Sequence, residues 1–426
     1  MKLNKCINLI KEKLDLIRYI LFKMSDMGLA FLLTLIIVKK LTNYEYGVYT
    51  LILTILGMLV IFGFSWTSSS LMYFGVEEKL KYGSLNRTFW SRNIILVISY
   101  SIIVILFIYF QNKINNYLTE KVSIYIFIWM TIRIFTDYLS SYFLAIEKRE
   151  ISILVTLTTK IVTLFLLFII NMTLKKMLIF SIVAELSGLI WLLKINKKDF
   201  GKFIFDQKIF KQVLSFGFWQ LFGFSGLYLI NFGDNLVIKH YLGVEKVGIY
   251  NISYQLFMGM AAFSYLFSNY FAPQVVKAIK EKNIDILNSI FKKDRFILVG
   301  ILIIPHVIVI FLAKKIIISF YGVSYVGAII PLIILTIESL LKYFTVFNIL
   351  IYNCFKKYSF LQIINIIQAS LNIGFDILFV PKFGIVGAAY ATILSFLIVS
   401  IIETSYGEYI LNKFKKEVLE IKNMKR

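Results

Sequence analysis

The stretch Asn372-Ile-Gly-Phe-Asp376-Ile-Leu-Phe-Val-Pro381-Lys-Phe-Gly384-Ile-Val-Gly387-Ala388-Ala389-Tyr-Ala391-Thr392-Ile-Leu-Ser395 decides how this chain folds. One apolar run precedes Pro381 and another follows Gly384. Proline and glycine punctuate helices, so the stretch predicts two helices joined by a tight turn, the first ending at Pro381. Gly384, Gly387, Ala388 and Ala389 are small, and small residues let helix backbones approach closely in lipid. They are assigned to packing rather than to a binding site.

Segments of this kind recur along the chain. A bilayer-crossing helix needs about 20 mostly apolar residues. Such runs lie near 17–38, 47–73, 90–110, 124–146, 151–171, 177–193, 212–238, 248–272, 296–313, 326–354, 358–380 and 384–405. The chain of 426 residues is 59% hydrophobic and only 16% charged. A soluble chain runs near 45–50% apolar and 25% charged, so a soluble class is excluded. The expected fold is an all-α integral membrane protein with about twelve transmembrane helices. Pro305 and Pro331 fall inside apolar runs and are expected kink sites.

The net charge of +22 has no nucleic-acid meaning here, because the cations are distributed by side. Of 46 Lys and Arg, 31 lie in the stretches 2–18, 79–92, 148–149, 194–211, 277–295, 356–357 and 413–426. Only 11 lie in the alternate connections. The positive-inside rule then places both termini in the cytoplasm and expects an even number of crossings. The first apolar run carries Lys23 and Asp26 and no small-residue cleavage site follows it, so it is expected to be retained as a helix. Cys6 and Cys354 fall on the expected cytoplasmic side, which argues against a disulfide, and no metal site is expected.

The chain also repeats itself. Leu41-Thr-Asn-Tyr-Glu-Tyr-Gly47-Val-Tyr49 is echoed by Leu242-Gly-Val-Glu-Lys-Val-Gly248-Ile-Tyr250, and Asn86, Phe89 and Ile95 by Asn288, Phe291 and Ile297. These matches predict two six-helix halves, 1–200 and 201–426, the second with a basic cytoplasmic tail. An even helix number per half puts both in the same orientation, related by a pseudo-twofold axis along the membrane normal. Substrate sites in such repeats lie near the midplane between the halves.

The motif 372–395 resembles the eleventh-to-twelfth helix hairpin of the polysaccharide transporter family. Its members resemble O-antigen flippases within the multidrug/oligosaccharidyl-lipid/polysaccharide exporter superfamily. Asn43-Tyr-Glu-Tyr-Gly47-Val-Tyr49 matches that family's first external turn, and length, helix count and two-half layout agree over the whole chain. The resemblance implies a flippase that moves undecaprenyl-pyrophosphate-linked oligosaccharide across a bacterial inner membrane, with membrane lipids and polysaccharide polymerase machinery as partners. It implies a transporter rather than an enzyme, and no cofactor. No G-x-x-x-x-G-K-[ST] phosphate loop is present, which argues against ATP hydrolysis.

Arg133, Lys160 and Lys342 sit mid-segment, where a charge costs roughly 2.5–3.5 kcal/mol. Under the resemblance they and Lys23 are candidates to bind the pyrophosphate head, Arg through its bidentate fork and Lys as a point charge. The structural reading stands beside this one. Arg133 with Asp137, and Glu338 with Lys342, are spaced to pair on one helix face. Lys160 has Thr156, Leu157, Thr163 and Leu164 at helical spacing and no acid among them, so it is the cation least explained by pairing and the foremost candidate to touch the anionic head, although Glu185 on the next helix could neutralise it. Lys23 also has a snorkelling reading.

Asp26, Glu185, Asp234, Glu338 and Asp376 are candidate carriers of a coupling proton or sodium ion. Asn365, Gln368, Asn372 and Asp376 form a polar stripe on one helix. Tyr44, Tyr46, Tyr49, Tyr250 and Tyr254 could stack on sugars near the outer side, but interface anchoring is the reading preferred for them. Two other functions compete: a cation-coupled multidrug exporter of the same superfamily, and an O-antigen polymerase, which the short external connections disfavour.

Overall fold

A computed structural model describes residues 21–22, 24–146, 148–169, 172–195 and 202–424. These residues are helical, with no strand among them. They form α1 (24–40), α2 (Asn43–Tyr82), α3 (Asn86–Leu118), α4 (Ser123–Ala145), α5 (Arg149–Ile169), α6 (Leu174–Ile195) and α7 (Gln207–Leu242). There follow α8 (Val244–Lys280), α9 (Ile284–Tyr321), α10 (Val323–Cys354), α11 (Tyr358–Phe383) and α12 (Ile385–Met424). Nine are long and apolar enough to cross a membrane. The other three are α1, α4 and α8; α4 interrupts its apolar run with Arg133 and Asp137. The twelve-helix layout expected from the apolar runs is consistent with this set. The chain divides into two compact units, Met1–Leu221 and Phe222–Arg426, at a point inside α7.

In the first unit, local capping explains the motif around Gly47. Thr42 accepts a hydrogen bond from the Glu45 amide (3.2 Å), and the Glu45 carboxylate accepts from the Thr42 amide (3.0 Å). This reciprocal pair satisfies two amides that the first turn leaves free. The other Glu45 oxygen accepts from the Leu174 amide (3.1 Å), so one side chain caps α2 and α6. Glu78 similarly accepts from the Arg87 and Thr88 amides (2.9 and 2.8 Å) and closes the start of α3, where Leu85 offers no capping group.

α2 widens into π-helical turns at Ile61–Ser65 and Leu71–Gly75. Side chains take up carbonyl capacity there: Trp66 Nε1 and Ser99 Oγ both donate to the Phe62 carbonyl (3.0 and 2.8 Å). The unit is packed by Leu71, Leu85, Phe89, Tyr142 and Ala145, and by Leu139, Phe143, Val155 and Leu192.

In the second unit, α10 packs on α8, α9 and α12, and α11 on α12. Phe271, Val275, Phe291, Phe347, Ile351 and Leu411 contribute to one buried cluster. Small residues set the close approaches, as expected. A Cβ at Gly226 of α7 would lie 3.0 Å from the Asn365 backbone of α11, and one at Gly387 would strike the Phe379 carbonyl. Ala388 and Ala389 are fully buried.

Pro381 and Pro331 behave differently from expectation. Pro381 lies inside α11, which ends at Phe383 because Gly384 adopts φ +63°, a conformation that favours glycine. Pro331 sits in the first turn of the regular α-helix Ile329–Cys354 within α10, where its missing amide hydrogen costs no helical bond, and Pro305 lies inside α9 as expected. α12 has 40 residues, a length of about 60 Å, roughly twice the hydrocarbon thickness. Its far end carries Lys415, which donates to Asn288 (2.6 Å).

Candidate functional site

Each described mid-membrane cation has a carboxylate partner. In the first unit, Arg133 lies 3.3 Å from Asp137 one turn along α4 and 3.2 Å from Glu185 on α6. The first contact follows the i,i+4 spacing, whereas the second requires α6 to pack on α4. Two acids face one base, so the trio carries a net negative charge when ionised. The Arg133 side chain is 43% exposed and its planar fork keeps donors that these bonds do not use.

Lys160 corrects the expectation that Glu185 neutralises it. Its Nζ contacts the Asp26 carboxylate (2.6 Å) and carbonyl (2.9 Å) on α1, and Thr156 donates to the same carboxylate (3.2 Å). Glu185 is engaged by Arg133 instead. Lys23 lies outside the described residues.

In the second unit, Lys342 contacts Glu338 (3.1 Å), whose side chain is wholly buried. Lys342 also stands over the Phe257 and Phe396 rings at 4.4 and 5.5 Å. Ring faces attract an ammonium group, so three neighbours hold this cation in place.

The same unit gathers Asp234 and Asp376 with polar groups from four helices. Asn372 donates to Asp234 (2.5 Å) and Asp376 (3.3 Å), and Thr392 donates to Asp234 (2.9 Å). Tyr250 donates to Asp234, and Ser395 to the Asn372 side-chain oxygen Oδ1 (3.1 Å). Asp376 Oδ1 is buried without a hydrogen-bond partner. Two buried carboxylates with no cation among their described contacts cannot both hold charge cheaply. A proton or a bound oxygen-seeking cation resolves that conflict. Among the described residues no group of three or more His, Cys, Asp or Glu could hold a metal ion.

Asp234 and Asp376 were legible in the sequence as membrane acids, and Asn372 as part of the α11 stripe. Thr392 and Tyr250 were read for other purposes. Tyr46, Tyr49, Tyr250 and Tyr254 are buried rather than anchored at an interface, and Tyr254 donates to Asn231 (3.0 Å). Tyr49 and Tyr250 each stand two residues after a repeat glycine, Gly47 and Gly248, and both are buried.

Arg92 was missed, because its position near a basic connection suggested a surface cation. It is fully buried, contacting Ser141 (2.9 Å) and Thr67 (3.5 Å) and the faces of Phe64 and Tyr138. One of its terminal nitrogens has no partner. His306 is also interior, bridging the Leu302 carbonyl (2.7 Å) and Ser339 (2.9 Å).

Residues 15–268 match the model of a family described as polysaccharide biosynthesis protein. An uncharacterized membrane protein of Methanocaldococcus jannaschii is 25% identical over 222 residues, 49% of this chain and 42% of that protein. The chain thus matches less than half the length of that relative. Among solved structures, an inward-facing multidrug-resistance transporter of the MATE family aligns with 92% of this chain and 96% of its own, at a TM-score of 0.75 and 14% identity. The lipid II flippase MurJ in an inward closed conformation aligns with 94% of this chain and 91% of its own, at a TM-score of 0.69 and 19% identity. At these identities the likeness is one of fold. The family match, the apolar helices and the shared transporter fold together identify the chain as a multi-pass membrane protein that belongs to the polysaccharide biosynthesis protein family.

Proposed function

We propose that this protein is a flippase for undecaprenyl-pyrophosphate-linked oligosaccharide, acting from the cytoplasmic to the outer leaflet of a bacterial inner membrane by alternating access. The observation that carries the reading is the family match over residues 15–268, joined to a fold shared with a lipid II flippase. A pyrophosphate–sugar head cannot cross hydrocarbon unaided, because its charges and hydroxyls would lose their water.

Arg133, Lys160, Lys342 and Lys23 are the proposed head-group contacts. Arg133 is the most accessible of the three described, and its fork suits a phosphoryl group. In the resting arrangement Asp137, Glu185, Asp26 and Glu338 neutralise these cations. Substrate phosphate would compete with the carboxylates, so each ion pair doubles as a latch. Outward movement of an anionic head gains about 2.3 kcal/mol per charge per 100 mV of membrane potential.

Asp234 and Asp376 are the proposed coupling site for a proton or sodium ion. Their oxygen-rich surroundings supply Asn372, Thr392 and Tyr250 as further ligands or relays. Release of that ion would change the charge of a buried network shared by α7, α8, α11 and α12.

One observation favours a second reading, a cation-coupled multidrug exporter. Acids outnumber bases around Arg133 and at Asp234–Asp376. Reconstitution separates the two: a labelled lipid-linked oligosaccharide should reach the outer leaflet of loaded vesicles, and an organic cation should not be moved.

A further inference from the structure

The second unit contains a cavity of about 100 Å³ whose only residue given a role above is Lys342. Its polar lining includes Asn231, Lys342, Thr345, Asn365, Gln368 and Glu403. One water needs roughly 10–15 Å³ of such space and two to four polar partners, so the cavity has room for several. Lys342 is matched by Glu338. Among the described residues no ion pair holds Glu403, so when ionised it leaves Lys342, Glu338 and Glu403 together with one excess negative charge.

The cavity stands one helical turn from the Asp234–Asp376 cluster on three helices. On α7, Asn231 lines the cavity and Asp234 is three residues on. On α11, Gln368 lines it and Asn372 is four residues on. On α12, Phe396 lines it and Ser395 and Thr392 belong to the cluster. A fourth helix makes the same step: Tyr250 of α8 contacts Asp234, and Tyr254 contacts Asn231. Phe396, 6% exposed, is a large apolar residue at this junction. The cavity lies toward the Tyr358 end of α11 and the cluster toward its Phe383 end. On the orientation expected from the basic residues, the Tyr358 end faces the cytoplasm.

We infer that this cavity is a hydrated antechamber through which the coupling cation exchanges between the cytoplasm and Asp234–Asp376, with Glu403 selecting for positive charge and Phe396 as its inner barrier. The inference rests on the coupling role proposed above. Its logic is electrostatic: one unmatched carboxylate in a water-filled, low-dielectric pocket concentrates cations and repels anions.

Thiol labelling tests it without measuring transport. Asn365→Cys and Thr345→Cys are placed singly in a chain whose Cys6 and Cys354 are changed to Ser. Ile363→Cys, whose native side chain is 48% exposed on the apolar face of α11, is the control. The thiolate is the reacting form and hydrocarbon suppresses it, so both cavity thiols should react about tenfold faster than the control with a trimethylammonium methanethiosulfonate in inside-out vesicles. A sulfonate methanethiosulfonate should react about tenfold more slowly than the cationic reagent, and adding Glu403→Gln should erase that preference.

Cavity thiols reacting no faster than Ile363→Cys would overturn the antechamber, as would a charge preference that ignores Glu403→Gln. If labelling behaves as expected but saccharide transport proves independent of both sodium and pH, the ion route is wrong. If labelling fails while flipping is intact, only the antechamber falls. Labelling as expected with no flipping removes the saccharide reading alone.

Discussion

Lys342 and Glu338 form a pair in which one partner has no exposure at all and the other is 20% exposed. Removing one partner of a buried pair leaves the other charge uncompensated, at about 3–5 kcal/mol. Lys342→Gln is therefore expected to lower the thermal unfolding temperature in detergent. The double change with Glu338→Gln should recover most of the loss, because no lone charge then remains. This pair and Arg133–Asp137 were legible from i,i+4 spacing. Lys160–Asp26 was not, because its partners are 134 residues apart and only the packing of α1 against α5 joins them. At the coupling cluster, Asp376→Asn should keep the fold, since one carboxylate oxygen already lacks a partner. It should abolish any dependence of transport on sodium or pH, as measured by initial rates in vesicles with each gradient imposed separately. Unchanged ion dependence would remove Asp376 from the coupling role.

Helix ends and helix contacts make their own predictions. Glu45 caps both α2 and α6, so Glu45→Ala should loosen two helix starts that are 129 residues apart in sequence. Each lost cap costs about 1 kcal/mol, and hydrogen exchange should quicken at the first turn of α6 as well as α2. Thr42→Val should affect α2 alone. In α7, Gly226→Val pushes a side chain into the Asn365 backbone and is expected to destabilise by about 1–3 kcal/mol. Gly374→Ala, with nothing within 4 Å of its added carbon, should be tolerated. Apolar runs, small-residue motifs and glycine turns revealed these elements because each reflects a local or bilayer-wide constraint. The π-helical turn at Ile61–Ser65 left no such mark: it lies where Trp66 and Ser99 reach the Phe62 carbonyl. Nor could the sequence show that Pro381 sits inside α11, since its effect depends on where Gly384 ends the helix.

For the whole molecule, hydropathy and charge distribution were informative because the bilayer acts as a common solvent on every segment. The long-range convergence of Asp234, Tyr250, Asn372 and Thr392 was not, because it depends on how four helices pack. The distribution of Lys and Arg predicts cytoplasmic termini, so tags at either end should be digested by protease in inside-out but not right-side-out vesicles. The central claim is that a lipid-linked saccharide crosses with help from the buried cations. Its most direct measurement is translocation of a labelled undecaprenyl-pyrophosphate oligosaccharide in proteoliposomes, comparing the native protein with a variant carrying Arg133→Gln, Lys160→Gln and Lys342→Gln. The partner acids are neutralised in the same variant, with Asp137→Asn, Glu185→Gln, Asp26→Asn and Glu338→Gln, to keep it folded. The native protein should transport it, and the folded variant should do so at least about a hundredfold more slowly, the scale of two lost charge-assisted phosphate contacts. Equal rates for the two proteins, or no transport by the native one, would contradict it.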